Sequence, residues 1–296
     1  MELLQWITKF ITTLGNSKSS SINTVVAYRT DLLQFYDFCK QKQVNDANID
    51  VVREWVVSLK MSGVSSKSIN RKIIALRSFY RFLMSESVVD DNVAKHIRLL
   101  KTDTKLPSFI SMKDMEAVLS SDIFDDSFEG VRNRFVMEFL YDTGIRLHEL
   151  IMLDNGSIDT ENCTIKVFGK RSKERIIPFP KTLVKSYNTY ISKRSEVIYA
   201  SGNTCDRLIV TNDGRPCSPS MIQRMVKKVL FRCTNVFNGS PHTIRHTYAT
   251  HLINNGTKIQ VIKELLGHAT LASTQIYAHN DIEQLKKVYS RCHPHS

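Results

Sequence analysis

The sequence has no long apolar run. Its hydrophobic stretches extend over only a few residues, far short of the roughly 20 that a membrane-spanning helix needs, so no transmembrane segment is expected. No Cys-x-x-Cys pair occurs among the six cysteines, Cys39, Cys163, Cys205, Cys217, Cys233 and Cys292. Their spacings suit neither a zinc site nor a small disulfide framework. The opening MELLQWITKFITTLG carries Glu2 where a secretion signal would be basic, and Lys9 breaks its apolar stretch, so it reads as a helix. A reduced, cytoplasmic setting is the expectation, and the N-x-S/T matches at Asn162, Asn238 and Asn255 are then coincidental. An acidic metal cluster, an H-E-x-x-H pair and a G-x-x-x-x-G-K-[ST] loop are all missing, so no metal or nucleotide cofactor is expected. Acidic residues are in short supply as well. Asp and Glu total 29 against 41 Lys and Arg, a formal net charge of +12, and such a balance favours a polyanionic partner.

What is present is enough for two folded domains. The 296 residues are 42% hydrophobic and 24% charged, and domains of about 100–200 residues are the rule. The first 98 read as a helical bundle. Val25, Val26, Tyr28, Leu32, Phe35, Tyr36 and Cys39 form an apolar stripe at helical spacing over 21–42. Further stripes lie over 48–60, with Trp55, and over 66–85, with Ile69, Ile73, Leu76 and Phe79. Lys60, Lys67, Arg71, Lys72, Arg77 and Arg81 crowd the third and fourth helices with few compensating acids. They are either an ordinary solvated face or one that tracks phosphates.

Residues 99–110 lose the period and contain Pro107, which marks a linker. A second domain, 111–296, opens with helices expected at 111–121, 129–142 and 146–153. Thr164–Phe168 and Arg175–Phe179 flank a polar turn and predict a β-hairpin, with a brief third strand at Leu208–Thr211. Helices return at 181–199 and 218–232 and occupy most of the C-terminal part. The fold class expected is mainly α with a small antiparallel β-sheet.

Ser240-Pro241 begins a helix, with Ser240 as cap and Pro241 in the first turn. His242 and Arg245 then share one face at a helix N-terminus, where free N–H groups and the dipole favour an anion. Arg146 follows Gly144 at the head of another helix. Lys170, Arg171 and Lys173 sit at the hairpin tip, where a charged turn serves solubility or meets a phosphate. His268 follows Gly267, and Tyr277 lies near the end of a short helix. Each of these, taken alone, has an ordinary structural explanation.

Together they match a pattern. The segments TGIRLHEL, FGKRSKERIIPFP, PHTIRHTYATHL and LLGHATLASTQIYAH occur in this order. They resemble the T-G-x-R-x-x-E-L, G-K-x-x-K-E-R-x-x-P, H-x-x-R-H and L-G-H-x-x-x-x-T-x-x-Y stretches of the tyrosine recombinase (phage-integrase-like) family. The length is similar to that of its compact Xer-type members. The resemblance implies a SAM-like domain for binding the DNA core site, a linker and an α+β catalytic domain, closing round duplex DNA as a clamp.

It further implies Tyr277 as nucleophile, giving a 3′-phosphotyrosyl link without metal or ATP. Arg146 and Arg245 would bind the non-bridging oxygens, and Lys170 would protonate the leaving 5′-oxygen. His242 would assist proton transfer, and His268 would hydrogen-bond the phosphoryl group. A tetramer on two duplexes is implied, with Ile282, Leu285 and Val288 of a C-terminal helix as the candidate contact to a neighbour. Glu149 and Glu174 read as partners for nearby basic groups. His148, Asp154-Asn155-Gly156 and Ala269 depart from the commonest pattern without touching the six expected active-site positions. A type IB topoisomerase-like activity and a non-catalytic DNA binder are the alternatives.

Overall fold

A computed structural model of the chain describes residues 3–17, 21–44, 48–102, 109–120, 122–168, 174–234, 236, 239–267 and 294. The chain divides into two compact units, residues 1–105 and 106–296.

In the first unit the α-helices after the first begin where a polar side chain can take an unpaired N–H. After α1 (Leu3–Asn16), Ser21 Oγ accepts from the Thr24 N–H at 3.2 Å and starts α2 (Ile22–Gln41). Asn48 Oδ1 accepts from Asp50 and Val51 at 3.0 and 3.1 Å and starts α3 (Ile49–Met61). Ser65 does the same for α4 (Ser66–Ser85). Such caps contribute about 1 kcal/mol each. A single 3₁₀ turn, Val93–His96, follows. The stripes read from the sequence meet in one core, in which Leu32, Phe35, Val52, Ile69, Ile73, Leu76 and Phe79 are fully enclosed and the Phe35 and Trp55 rings lie 4.9 Å apart, edge to face.

The basic face of this bundle is smaller than its residue count suggests. Lys60, Lys67, Arg71 and Arg81 are exposed. Lys72 is a correction: its ammonium is buried, donating to Asp31 at 2.8 Å and to Gln34, so it cannot reach a phosphate. Asp31 is fully buried, and Arg71 shares it. A carboxylate so enclosed is tolerable only when paired, which explains why the lysine turns inward. Arg77 is half-buried and donates to the carbonyls of Ala94 and Ile97 at 3.1 and 2.6 Å, tying the 3₁₀ turn to α4.

The second unit runs α5 (Met112–Leu119), α6 (Phe128–Thr143), α7 (Leu147–Met152), a 3₁₀ turn (Asn155–Ser157), β1 (Ile158–Asp159), β2 (Thr164–Phe168), β3 (Glu174–Pro178), α8 (Lys181–Ser201), α9 (Pro219–Cys233), α10 (Pro241–Asn254) and α11 (Ile259–Leu266). The sheet is antiparallel in the order β1-β2-β3, with Ile165 opposite Ile177 and Val167 opposite Arg175. Ile165, Val167 and Ile177 face inward. Phe135 of α6 stacks on Tyr190 of α8 at 4.9 Å near the centre of the core. The architecture is mainly helical with a small three-stranded sheet, as expected.

The third strand, however, is β1 and not Leu208–Thr211. The latter segment is largely buried, but its backbone groups are scattered among several partners. The Leu208 N–H donates to Leu153 O, the Thr211 N–H donates to Arg215 O, Ile209 O accepts from the Cys217 N–H, and side chains take others. Tyr190 Oη donates to Leu208 O at 3.0 Å and accepts from the Val210 N–H at 3.2 Å, while Arg194 Nε donates to Leu208 O at 3.1 Å. Arg132 is buried beside it and donates to Asn212 Oδ1 at 3.0 Å. With those groups occupied, the segment makes only isolated bridges at Arg207 and Val210. Among the described residues, no helix is long and apolar enough to cross a membrane.

Candidate active site

Helix α6 stops at Gly144, whose left-handed φ of +57° places its N–H on Leu140 O. The chain turns, and α7 begins behind Arg146. This helix has no Ser or Asp cap. Glu149 reaches back instead, its Oε2 accepting from the Arg146 N–H at 2.9 Å. Arg146 then projects sideways: Nη1 donates to Glu149 Oε1 and Nη2 to Gly267 O, both at 2.8 Å. Its side chain is 40% exposed.

Helix α10 begins as the sequence predicts. Ser240 Oγ accepts from the Thr243 N–H, and Thr243 Oγ1 accepts from the Ser240 N–H, both at 3.2 Å. Pro241 occupies the first turn, His242 is exposed, and Arg245, one turn on, is buried. Arg245 donates through Nη1 to Gly144 O and through Nη2 to Leu266 O. Two arginines that lie far apart in the chain thus end on consecutive carbonyls, Leu266 and Gly267, at the C-terminus of α11. Carbonyls at a helix end lack partners and carry partial negative charge, which suits both guanidiniums.

Arg175, at the start of β3, completes the cluster. It donates Nη1 to Glu149 Oε1 and Nη2 to Glu149 Oε2, both at 2.8 Å. Burial alone would raise the Glu149 carboxyl, but the hydrogen bonds and charge of Arg175, joined by those of Arg146, hold it down at about 2. Burial, and then the charge of Arg146, draw Arg245 down to about 10, so it stays cationic at neutral pH. Three guanidiniums against one carboxylate leave a surplus of positive charge, the arrangement that a phosphoryl group acquiring charge requires.

Arg146, His242 and Arg245 of the expected site are therefore in view, and the pairing expected of Glu149 is present. Glu174 pairs with Lys166 at 2.9 Å. Lys170, Arg171, Lys173, His268, Tyr277 and the C-terminal helix lie outside the described residues. Tyr248 is fully buried, and burial pushes its phenol well above the ordinary range, which makes it a poor nucleophile. Arg175 was not singled out from the sequence. Its only signal there is its place as the Arg of the K-E-R stretch.

Ile110, ahead of α5, is tied to α10. The Ile110 N–H donates to Thr247 Oγ1 at 3.0 Å, and His251 donates Nε2–H to Ile110 O at 2.9 Å. His251 Nδ1 must then accept from the Tyr141 hydroxyl, at 2.8 Å.

Residues 109–284 match the model of the phage integrase family, and residues 7–87 match that of the phage integrase N-terminal SAM-like domain. The chain belongs to this family, as a tyrosine-type site-specific recombinase that cleaves and rejoins DNA. Among similar proteins is the tyrosine recombinase XerC of Listeria welshimeri, 34% identical over 290 residues that cover 97% of this chain and 96% of the relative. The fold is similar to that of the XerH site-specific recombinase bound to its difH substrate in a pre-cleavage complex. That match has a TM-score of 0.70 at 20% identity and covers 97% of this chain and 96% of that one. A lambda integrase tetramer bound to a Holliday junction matches with a TM-score of 0.70 at 16% identity, over 93% and 76% of the two chains.

Proposed function

We propose that this chain exchanges DNA strands at a specific site through a 3′-phosphotyrosyl intermediate. The supporting observation is the convergence of Arg146 and Arg245 on the two carbonyls that directly precede His268 in the chain. In this reading Tyr277 Oη attacks the scissile phosphorus, the bond to the 5′-oxygen breaks, and Lys170 gives that oxygen its proton. His242 takes the tyrosine proton, and His268 with the two arginines holds the non-bridging oxygens. A phenol of ordinary pKa near 10 needs such help at neutral pH, and planar guanidiniums suit phosphate in bidentate fashion. The phosphotyrosine conserves the energy of the broken phosphodiester, so resealing needs neither ATP nor metal.

The wider reading is a cytoplasmic enzyme working as a tetramer on two duplexes, with residues 281–289 docking on a neighbouring protomer. Lys60, Lys67, Arg71, Arg81, Arg171 and Lys173 would meet the DNA backbone. The test is covalent trapping. Full-length protein selects a duplex from a randomised library, and a panel of that duplex, nicked at successive phosphates, is scored for a denaturant-resistant adduct at a 3′ end. An adduct followed by recombinant product supports the reading. Supercoil relaxation with no recombinant product would place the activity with topoisomerases, and binding with no adduct would make the chain a DNA binder.

A further inference from the structure

We propose that Arg175 is a positioning residue for strand cleavage, keeping Glu149 from closing on Arg146 and so leaving the Arg146 guanidinium available to phosphate. This rests on the reading of Arg146 as a phosphate-binding residue.

The carboxylate of Glu149 has two oxygens, each with room for two good donors. All four places are filled: Oε1 by Arg146 Nη1 and Arg175 Nη1, Oε2 by the Arg146 N–H and Arg175 Nη2. Arg175 holds the two-pronged grip, so Arg146 meets the carboxylate through one side-chain nitrogen only. Its other terminal nitrogen is held by Gly267 O. Arg175 also bears on that second anchor. A Cβ built on Gly267 would lie 3.1 Å from Arg175 Cδ, Nε and Cζ, and Gly267 has φ +61°. Arg175 itself is only 15% exposed. It comes from the strand that follows Lys170 in the chain, lies against Gly267 at the end of α11, and fixes the carboxylate that orients Arg146.

Without Arg175, two acceptor sites on Glu149 fall vacant beside a flexible guanidinium. Carboxylate and Arg146 would then pair fork to fork. That pairing would turn Arg146 from the phosphate and cancel part of its charge. Glu149 would also lose the cation that chiefly opposes the effect of its burial, so its carboxyl would titrate at higher pH.

The experiment uses full-length protein and the nicked duplex that traps wild type. R175Q is expected to slow adduct formation by about 10²-fold, the scale of a small misalignment at a reacting centre. Half-site Kd should stay within about threefold, and the deficit of R175Q relative to wild type should shrink toward acid pH, where protonation of Glu149 releases Arg146. Adding E149Q removes the carboxylate that captures Arg146, so R175Q/E149Q should cleave faster than R175Q. A merely structural role predicts the opposite, because two core substitutions compound. R175K should fall between wild type and R175Q, and should R175Q fail to fold, R175K against R175K/E149Q makes the same comparison. An R175Q enzyme as fast as wild type, or a double variant no faster than R175Q, overturns the proposal and leaves the recombinase reading standing. Wild type that forms no adduct on any duplex of the panel overturns both.

Discussion

The ring of Tyr248 lies against the backbone of Gly144 so closely that a Cβ on that glycine would sit 2.5 Å from Tyr248 Cδ1. The left-handed φ of Gly144 already disfavours any side chain by about 1–2 kcal/mol, and the contact adds to this. Gly144→Ala should therefore lower the melting temperature by several degrees. Because Gly144 O also holds Arg245, adduct formation should fall by more than the loss of folded protein explains. Melting curves beside single-turnover cleavage check both, and an unchanged melting temperature would contradict the packing.

Tyr277→Phe should abolish the covalent adduct while leaving half-site affinity within a few fold, since the ring is kept and only the nucleophilic oxygen is lost. Tyr248→Phe should still form adduct, because its buried phenol is held protonated. The reverse pattern would assign the nucleophile to Tyr248.

Lys170→Ala should slow cleavage of ordinary DNA by about 10²–10⁴-fold, the usual worth of a general acid. A 5′-bridging phosphorothiolate should restore the rate, because a thiolate leaves without a proton. If sulfur gives no rescue, Lys170 binds instead of protonating, and Lys173 becomes the candidate acid.

Burial depresses the pKa of His251 from its ordinary 6.5, outweighing the hydrogen bond to Ile110 O that favours the cation. The unfolded chain therefore takes up this proton first as the pH falls. The contribution of His251 to stability is complete above about pH 6.5 and declines in acid. His251→Gln should be less stable than wild type at about pH 7.5, with the gap narrowing toward about pH 5. Thermal melts across that range decide it, and a gap that widens in acid would mean His251 is folded as the cation.

Deleting residues 280–296 should spare binding to one half-site and abolish cooperative filling of two. Burial of Ile282, Leu285 and Val288 against a neighbour would contribute a few kcal/mol at roughly 25 cal/mol per Å². Gel-shift titrations on one and two half-sites measure this. Unchanged cooperativity with a lower melting temperature of the free protein would mean that the helix packs on its own domain.

Much of this was legible because local signals agree with the packing. Ser21, Ser111 and Ser240 cap the helices expected to begin at those positions, and the helix expected over 66–85 is capped one residue earlier, by Ser65. The ordered motifs make Arg146, His242 and Arg245 stand out in the sequence itself. What escaped was set by tertiary contacts. Strand β1 is two residues long and has no periodicity to detect. Leu208–Thr211 has strand composition, but its backbone is shared between the side chains of Tyr190 and Arg194 and scattered loop residues instead of one neighbouring strand. Lys72 looks like its basic neighbours, and only the buried Asp31 forty-one positions earlier explains why it turns inward. Arg175 was hidden for the same reason, since its importance lies in meeting Glu149 across the fold.

The inward turn of Lys72 bears on how firmly this protein holds a polyanion as ionic strength changes. Each phosphate neutralised on duplex DNA releases condensed counterions, and the slope of log affinity against log salt counts those contacts. Lys72, Arg132 and Arg194 are buried with their donors engaged inside the protein. They add to the formal +12 without displacing a single ion. The salt slope will therefore follow the cations at the surface, and will be shallower than a tally of lysines and arginines implies.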